Sequence, residues 1–311
     1  MATGNPSPIR DWSAYNTALV ARGNLTLWID EGVIEFWRAQ PVGKKNGRPF
    51  TYSDRAVELV LTLRQLYGLP LRGAQGFAQA VVALLGLTLP IPHYSTLSRR
   101  AGRLPTALGA APATGGRVLL LDSTGLKVFG EGEWKVRQHG YSKRRTWRKL
   151  HLAIDATTQE VVACELTASG TTDGEMAGPL LDATEGEIAR VKADGAYDQR
   201  PVYGAAQRRG AAVVVPPRRG AKIRVHGNTL GPPDPRDESV RGVRRYGRKS
   251  WKKRVGYHER SLVETGMFRY KTLFGARLRA RAMAGQRVEV RISCKIMNRF
   301  TQLGMLTTRA A

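Results

Sequence analysis

The stretch Tyr257–Lys271, YHERSLVETGMFRYK, spaces a phenol, a guanidinium, a carboxylate and an ammonium so that one helix would carry all four on a single face. It contains no proline and no glycine before Gly266, which predicts a helix. At about 100° per residue, Tyr257 and Lys271 each fall within ~20° of Glu264, and Arg260 within ~40°. A helix turned toward a core would show an apolar stripe instead. The two cations suit phosphate oxygens, and the carboxylate suits a hard metal ion. A solvated, salt-bridged face could use the same residue types, so the surrounding chain has to decide.

Two further carboxylates stand where a charge is expensive. Asp122 follows the apolar run of RVLLLDSTGLKVFG, and Asp194 stands at the end of the strand pattern IARVKADGAYD. A charge at the end of an apolar run is costly unless it is paired or holds a metal. The ends of two strands and one helix face can meet at a point in an α/β domain. Three convergent carboxylates would hold Mg²⁺ by a few oxygens, and two such ions ~3.5–4 Å apart can serve an in-line displacement at phosphorus.

The other acids read differently. Asp155 precedes a turn and is expected to be structural, and Asp198 is expected to cap the next helix. Asp173 and Asp182 read as surface or cap groups. Glu259, away from the Lys271 side of the helix, is the rival to Glu264. His139 and His151 read as loop and strand residues rather than bases. Trp134, in a glycine-rich loop, could stack on a base or pack on the fold.

The whole chain is basic: 50 Lys+Arg against 25 Asp+Glu in 311 residues, a formal net charge of +25 and a pI near 10.8. Such an excess repels itself unless a polyanion is near, which makes nucleic acid the leading partner. Charge alone says that phosphates are bound, not that they are cut. The hydrophobic fraction of 42% supports a real core. Cys164 and Cys294 lie in apolar stretches without metal spacing, as reduced core residues of a cytosolic protein would. No HExxH or Cys/His cluster suggests zinc. No run reaches the ~18 apolar residues of a membrane span, and the N-terminus lacks the apolar core of a signal peptide.

These groups must be positioned by two kinds of structure. Residues 1–110 predict helices: one over Leu27–Gln40, one capped by Ser53 and closed by Gly68, one closed by Gly86, and a short basic one capped by Ser95. Trp12 and Tyr15 are possible anchors for the chain before them. The last two helices, joined by a proline turn, have the plan of a helix-turn-helix, with Ser95, Thr96, Ser98, Arg99 and Arg100 as candidate DNA contacts. After a small-residue linker, residues 111–311 predict three strands, a helix, a strand, a helix and a strand, a mixed α/β domain. A basic arm at 216–256 becomes helical from Arg236, with Val240, Val243 and Trp251 as apolar contacts. Helix is then expected from Tyr257 to about Ala284, and again at the C-terminal end. Two basic runs flank the acids: Lys135, Arg137, Lys143, Arg144, Arg145, Arg148 and Lys149 beside Asp122, and Arg241, Arg244, Arg245, Arg248, Lys249, Lys252, Lys253 and Arg254 before Glu264. Together they read as a DNA track.

The motifs DSTGLKVFG, ADGAYD and YHERSLVETGMFRYK, in that order, resemble those of the DDE transposases of insertion-sequence family five. The resemblance extends to GEWKVRQHGYSKRRTWRKLHLAID, YSDRAVELVLTLRQLYGLPLR and STLSRR. It implies an RNase H-like catalytic domain behind an all-helical DNA-binding domain. Asp122, Asp194 and Glu264 would be the catalytic metal ligands, for two Mg²⁺ ions with Mn²⁺ as a substitute. Tyr257, Arg260 and Lys271 would position the element's terminal DNA. The implied partners are double-stranded DNA at element ends and target, and a second copy of the chain, at least a dimer, in the synaptic complex. The implied location is the bacterial cytoplasm, at the nucleoid when bound.

Overall fold

The computed structural model describes residues 9–29, 31–40, 50–128, 146–225, 233–305 and 308–309. The chain divides into two compact units, Met1–Thr106 with Ile296–Ala311, and Ala107–Lys295.

The first unit is built mainly from helices α1 (Trp12–Ala21), α2 (Glu31–Glu35), α3 (Asp54–Leu66), α4 (Leu71–Leu84) and α5 (Tyr94–Ala101). The stripe of α3 buries Val57, Val60, Leu61 and Leu63, and α4 and α5 bury Ala74, Ala78, Val81 and Leu97. Ser53 caps α3 as expected, its hydroxyl accepting the Ala56 N–H at 3.1 Å, and Gly68 just past the helix takes φ 65°. Tyr15 is half-buried, and the exposed Trp12 packs edge-on against it, ring centroids 6.2 Å apart.

Three expectations fail here. The cap of α5 is His93, not Ser95: the residue after Pro92 is extended, and its ring accepts the Ser95 N–H. The long helix over Leu27–Gln40 is broken, because the Trp37 indole donates to the Pro90 carbonyl at 2.7 Å and Arg38 bridges to Tyr52. Nor is the unit all-helical, since β1 (Ile9–Arg10) pairs antiparallel with β8 (Thr308–Arg309). The partners in the last two cases lie from 14 to about 300 residues away, where periodicity carries no signal.

The second unit is a mixed sheet of β2 (Arg117–Val128), β3 (Trp147–Asp155), β4 (Val161–Ala168), β5 (Ile188–Lys192) and β6 (Ala212–Val214), in the order β4-β3-β2-β5-β6. The first three form an antiparallel meander, and β5 and β6 run parallel to β2. Alternation along the strands assigns two faces. Leu119, Leu121, Ala153, Val191 and Ala193 pack with α6 (Asp173–Asp182) and α7 (Arg200–Arg208) through Ala177, Leu180, Leu181, Val202 and Ala206. The opposite face, carrying Leu120 and Ile154, receives α10 (Ser261–Phe274). The closest approach is at Gly266, where an added Cβ would stand 2.2 Å from Ile154 Cδ1.

Between β6 and α10 lie the basic helices α8 (Pro235–Tyr246) and α9 (Arg248–Arg254), with Val240 and Trp251 buried. The helix expected to continue to Ala284 stops at Gly275, which takes φ 80°. Arg277–Leu278 (β7) then pairs parallel with Lys127 and Val128, and α11 (Met283–Leu303) follows. The pairing offers these residues a strand partner that outcompetes helix extension. Among the described residues no helix is long and apolar enough to cross a membrane.

Candidate active site

Asp122 and Asp194 are brought together by the sheet. Leu120 on β2 is the register partner of Lys192 on β5, and the two strands are parallel. Each aspartate lies two residues further on, Asp122 within β2 and Asp194 just past the end of β5, near enough for their charges to interact. Asp194 sits where β5 ends, its Oδ1 accepting the Ala196 N–H at 2.9 Å to cap a 3₁₀ turn, Gly195–Tyr197. Asp122 lies within β2, and its Oδ1 accepts the Ser123 N–H at 2.9 Å.

Glu264 reaches the same point from the first turn of α10. Arg260 joins the acids: its Nη2 donates to Asp122 Oδ2 at 2.9 Å, and its Nη1 donates to Glu264 Oε1. Burial raises the Asp122 carboxyl above the usual carboxylate range; Arg260 opposes the shift, and the charges of Asp194 and Glu264 add to it. Burial likewise raises the Tyr257 phenol, against Arg260 and with Asp194, Glu264 and Asp122. For Arg260, burial acts to lower the guanidinium, but the surrounding carboxylates and Tyr257 leave it raised. Three acids, a phenol and a guanidinium therefore share one field. Lys271 is exposed two turns along α10, about 10 Å from Glu264 along the axis.

The single helix expected over Tyr257–Lys271 is in fact a 3₁₀ turn, Tyr257–Arg260, followed by α10. The turn is tied to the sheet by Lys192, whose side chain is 2% exposed. Its Nζ donates to the Gly256 carbonyl at 2.8 Å and to Glu259 Oε2 at 2.6 Å. Glu259, the rival acid, is thereby engaged as the partner of a buried lysine two residues before Asp194. A lysine in the strand pattern RVKADG gives no hint of this role, because its partner is 67 residues away.

The acids fit a hard divalent cation by chemistry: the donors are all carboxylate oxygens, and a cationic guanidinium already spans two of them. As arranged, no three His, Cys, Asp or Glu side chains among the described residues form a group that could hold a metal, with Arg260 standing between Asp122 and Glu264.

The other expected DNA contacts divide. Arg244, Arg245, Arg248, Lys252 and Lys253 line α8 and α9, with Lys252 Nζ 4.7 Å from the centre of the Tyr257 ring and Arg248 donating to the Pro217 carbonyl at 2.6 Å. Arg148 donates to Gln286 Oε1 at 3.0 Å. Arg99 is exposed, whereas Arg100 is held by Asp54 at 2.5 Å and stacks over Phe50. Lys135, Arg144 and Arg145 lie outside the described residues, as do Trp134, Arg137, His139 and Lys143.

Of the remaining acids, Asp155 is structural, pairing with buried Arg117 at 2.6 Å. Asp198 does not cap α7, whose cap is Gln199, but pairs with Arg236. Tyr197, unremarked in the sequence, is buried below the Asp194 turn, and its hydroxyl is pushed up by burial and then by Asp173, Asp122 and Asp194.

His151 is fully buried on β3, opposite Ser123, with Nε2 2.9 Å from Thr167 Oγ1 and Nδ1 3.6 Å from Asp173 Oδ1. Burial lowers it to about 4, against Asp173 and with Lys149. The unfolded chain thus takes up this proton first, near pH 6.5. The stabilisation present above that pH is lost as pH falls toward about 4, by up to about 3 kcal/mol. Urea midpoints between pH 7 and 4.5 should fall less steeply in His151→Gln than in the parent chain; equal slopes would remove His151 as the cause.

Residues 113–299 match the family model described as Transposase DDE domain, and residues 20–131 match a second model of the same description. Among solved structures, the chain is similar to "Cryo-EM structure of piggyBac transposase synaptic complex with hairpin DNA", at 10% identity over 92% of this chain and 75% of that one. The TM-score of 0.37 is too low to establish a shared fold.

Proposed function

Since the chain belongs to the DDE transposase family, enzymes of DNA cleavage and strand transfer, we propose that it is the transposase of an insertion sequence, with Asp122, Asp194 and Glu264 as its catalytic acids. The observation that carries the assignment is the register of β2 and β5, which brings the two aspartates near enough for their charges to interact. The strand order, a three-stranded antiparallel meander followed by two parallel strands, supports an RNase H-like reading of the catalytic unit.

In this reading the three acids hold divalent metal, Mg²⁺ or Mn²⁺. When bound, the metal supplies activation of the attacking oxygen and charge neutralisation at the leaving oxygen. Arg260 exchanges its carboxylate partners for DNA phosphate, which frees Asp122 and Glu264. Tyr257 and Lys271 orient the terminal strand from the same side. The basic helices α8 and α9 carry the flanking duplex, and α4, the proline turn and α5 make a second DNA-binding surface through Arg99. Lys192 fixes the turn that delivers Tyr257 and Arg260.

Both steps are phosphoryl transfers. Water attacks the phosphodiester at the element end; the bond to the 3′-oxygen breaks and that oxygen takes a proton. The freed 3′-OH then attacks a target phosphodiester, so one P–O bond forms as one breaks and no external energy source enters. Alignment and charge stabilisation do the catalytic work, without a covalent protein intermediate. Joining two ends requires at least two copies of the chain in the synaptic complex.

The test is a strand-transfer reaction, with a duplex of the terminal repeats that bracket the gene and a supercoiled target. Joined product should form with Mg²⁺ and disappear with EDTA. Product formation that survives chelation refutes metal-dependent transfer. Free 3′-OH ends that are never joined to target would favour a nuclease of the same fold.

A further inference from the structure

Gln199 stands at the cap position of α7, yet its side chain does not cap that helix. Capping side chains are normally those of Ser, Thr, Asp or Asn. The Gln199 side chain turns back instead, and its Nε2 donates to the Ala196 carbonyl at 2.8 Å. Ala196 is also the residue whose N–H is accepted by Asp194 Oδ1 at 2.9 Å. One carboxylate oxygen of Asp194 is thus tied to the turn Gly195–Tyr197, so the turn decides where the other oxygen points. Gln199 grips that turn at Ala196. Arg218 grips it more loosely, through Nη2 to the Ala196 carbonyl at 3.2 Å and Nε to the Gly195 carbonyl at 3.4 Å.

The Gln199 amide is seated by Gly174, a buried residue in the first turn of α6. A Cβ added to Gly174 would stand 2.5 Å from Gln199 Cδ and Oε1 and 2.7 Å from its Nε2. The φ of Gly174 is not positive, so the backbone itself does not require glycine. Glycine within a helix is a cost relative to alanine. What alanine would meet is the far end of a flexible side chain, so the amide would swing away and the fold would stand. We infer that Gln199 is a positioning residue for the Asp194 carboxylate, and that Gly174 leaves the space in which the Gln199 amide lies while it holds the Asp194 turn. The inference rests on the assignment of Asp194 as a catalytic acid.

The experiment uses the full chain and a duplex of the terminal repeats that bracket the gene. It reads the unfolding midpoint, amide exchange over residues 194–199, and the rate of end cleavage. Gly174→Ala should unfold no earlier than the parent chain, because its helix gains what glycine costs. At saturating duplex it should nonetheless cleave about 10-fold more slowly, with KM for the duplex within about 3-fold, since a small displacement of a catalytic group lowers the rate and leaves the phosphate contacts alone. Exchange over 194–199 should be about 10-fold faster, as expected of a turn that has lost a tether. Gln199→Ala should show the same slower cleavage and the same faster exchange. Adding Gly174→Ala to Gln199→Ala should cost no further rate, because the methyl group then displaces nothing. Additive losses, a rate within about 3-fold of the parent in either single variant, unchanged exchange over the turn, or an earlier midpoint in Gly174→Ala overturns the inference. Asp194→Asn, which keeps the capping oxygen, separates the two failures. If it is inactive while Gly174→Ala and Gln199→Ala cleave normally, only the positioning role falls. If it is fully active, the assignment of the acids falls and takes this inference with it.

Discussion

Glu264→Gln should lower strand transfer on the order of 1,000-fold with DNA affinity nearly unchanged, the loss expected when a preorganised electrostatic group is removed from a phosphoryl-transfer site. Glutamine has nearly the same shape and keeps a carbonyl oxygen, so what disappears is the charge. The Glu264 side chain is 58% exposed, so the helix does not depend on it for burial. Arg260 would lose one of its two carboxylate partners and keep Asp122 at 2.9 Å. DNA affinity should stay within about 3-fold or tighten, since a negative charge leaves a surface that faces phosphates. Glu259→Gln is the informative comparison. It removes the partner of buried Lys192, so its effect should show as lost thermal stability and looser end binding rather than as lost chemistry in a folded, DNA-bound enzyme. A Glu264→Gln enzyme with more than a tenth of the parent rate under Mg²⁺ would sink the assignment.

The closeness of Asp122, Asp194 and Glu264 was expected from the sequence for a simple reason. An aspartate at the end of an apolar strand pattern is expensive, and the sheet brings two such aspartates close. The order of strands and helices from Arg117 to Val214 was legible too, because each element announces itself by local periodicity. What stayed hidden depends on partners distant in sequence. Lys192 looked like any strand lysine until the Gly256 turn folded over it. Nothing in the sequence marked Gly266 as the place where α10 meets Ile154. The break before Ser261 and the stop at Gly275 are both imposed by contacts with the sheet, through Lys192 in the first case and β2 in the second. Local propensity cannot register such constraints. Asp198 was misread for the same reason: it precedes a helix, as a cap does, but its partner is 38 residues on.

That pair carries the second large effect. Asp198 is completely buried and accepts from Arg236 Nε at 2.7 Å and Nη2 at 3.3 Å, from the Arg218 N–H at 2.9 Å, and from the Tyr203 hydroxyl at 3.4 Å. Arg236 opens α8 and also donates to the Lys222 carbonyl at 3.0 Å. The first turn of the basic arm is thus clamped to the segment that begins at Asp194. Burial alone would lower the Arg236 guanidinium, but the hydrogen bond and charge of Asp198 leave it raised. Asp198→Ala would leave the guanidinium buried without its counter-charge, at a cost of about 3–5 kcal/mol. The expected outcome is a lower unfolding midpoint and early proteolysis at the basic residues of α8 and α9. Strand transfer should also fall, although no catalytic acid has been touched, because the arm leads into the turn that carries Tyr257 and Arg260. The double variant Asp198→Ala, Arg236→Met should recover part of the lost stability, since the guanidinium is then no longer stranded, while buried Asp237 loses Arg236 at 3.7 Å but keeps the N–H groups of Arg224 and Val225. If the single variant unfolds within about 1 kcal/mol of the parent chain, or the double variant is no better than the single, the clamp is not what holds the arm, and docking must come from the apolar contacts of Val240 and Trp251 instead.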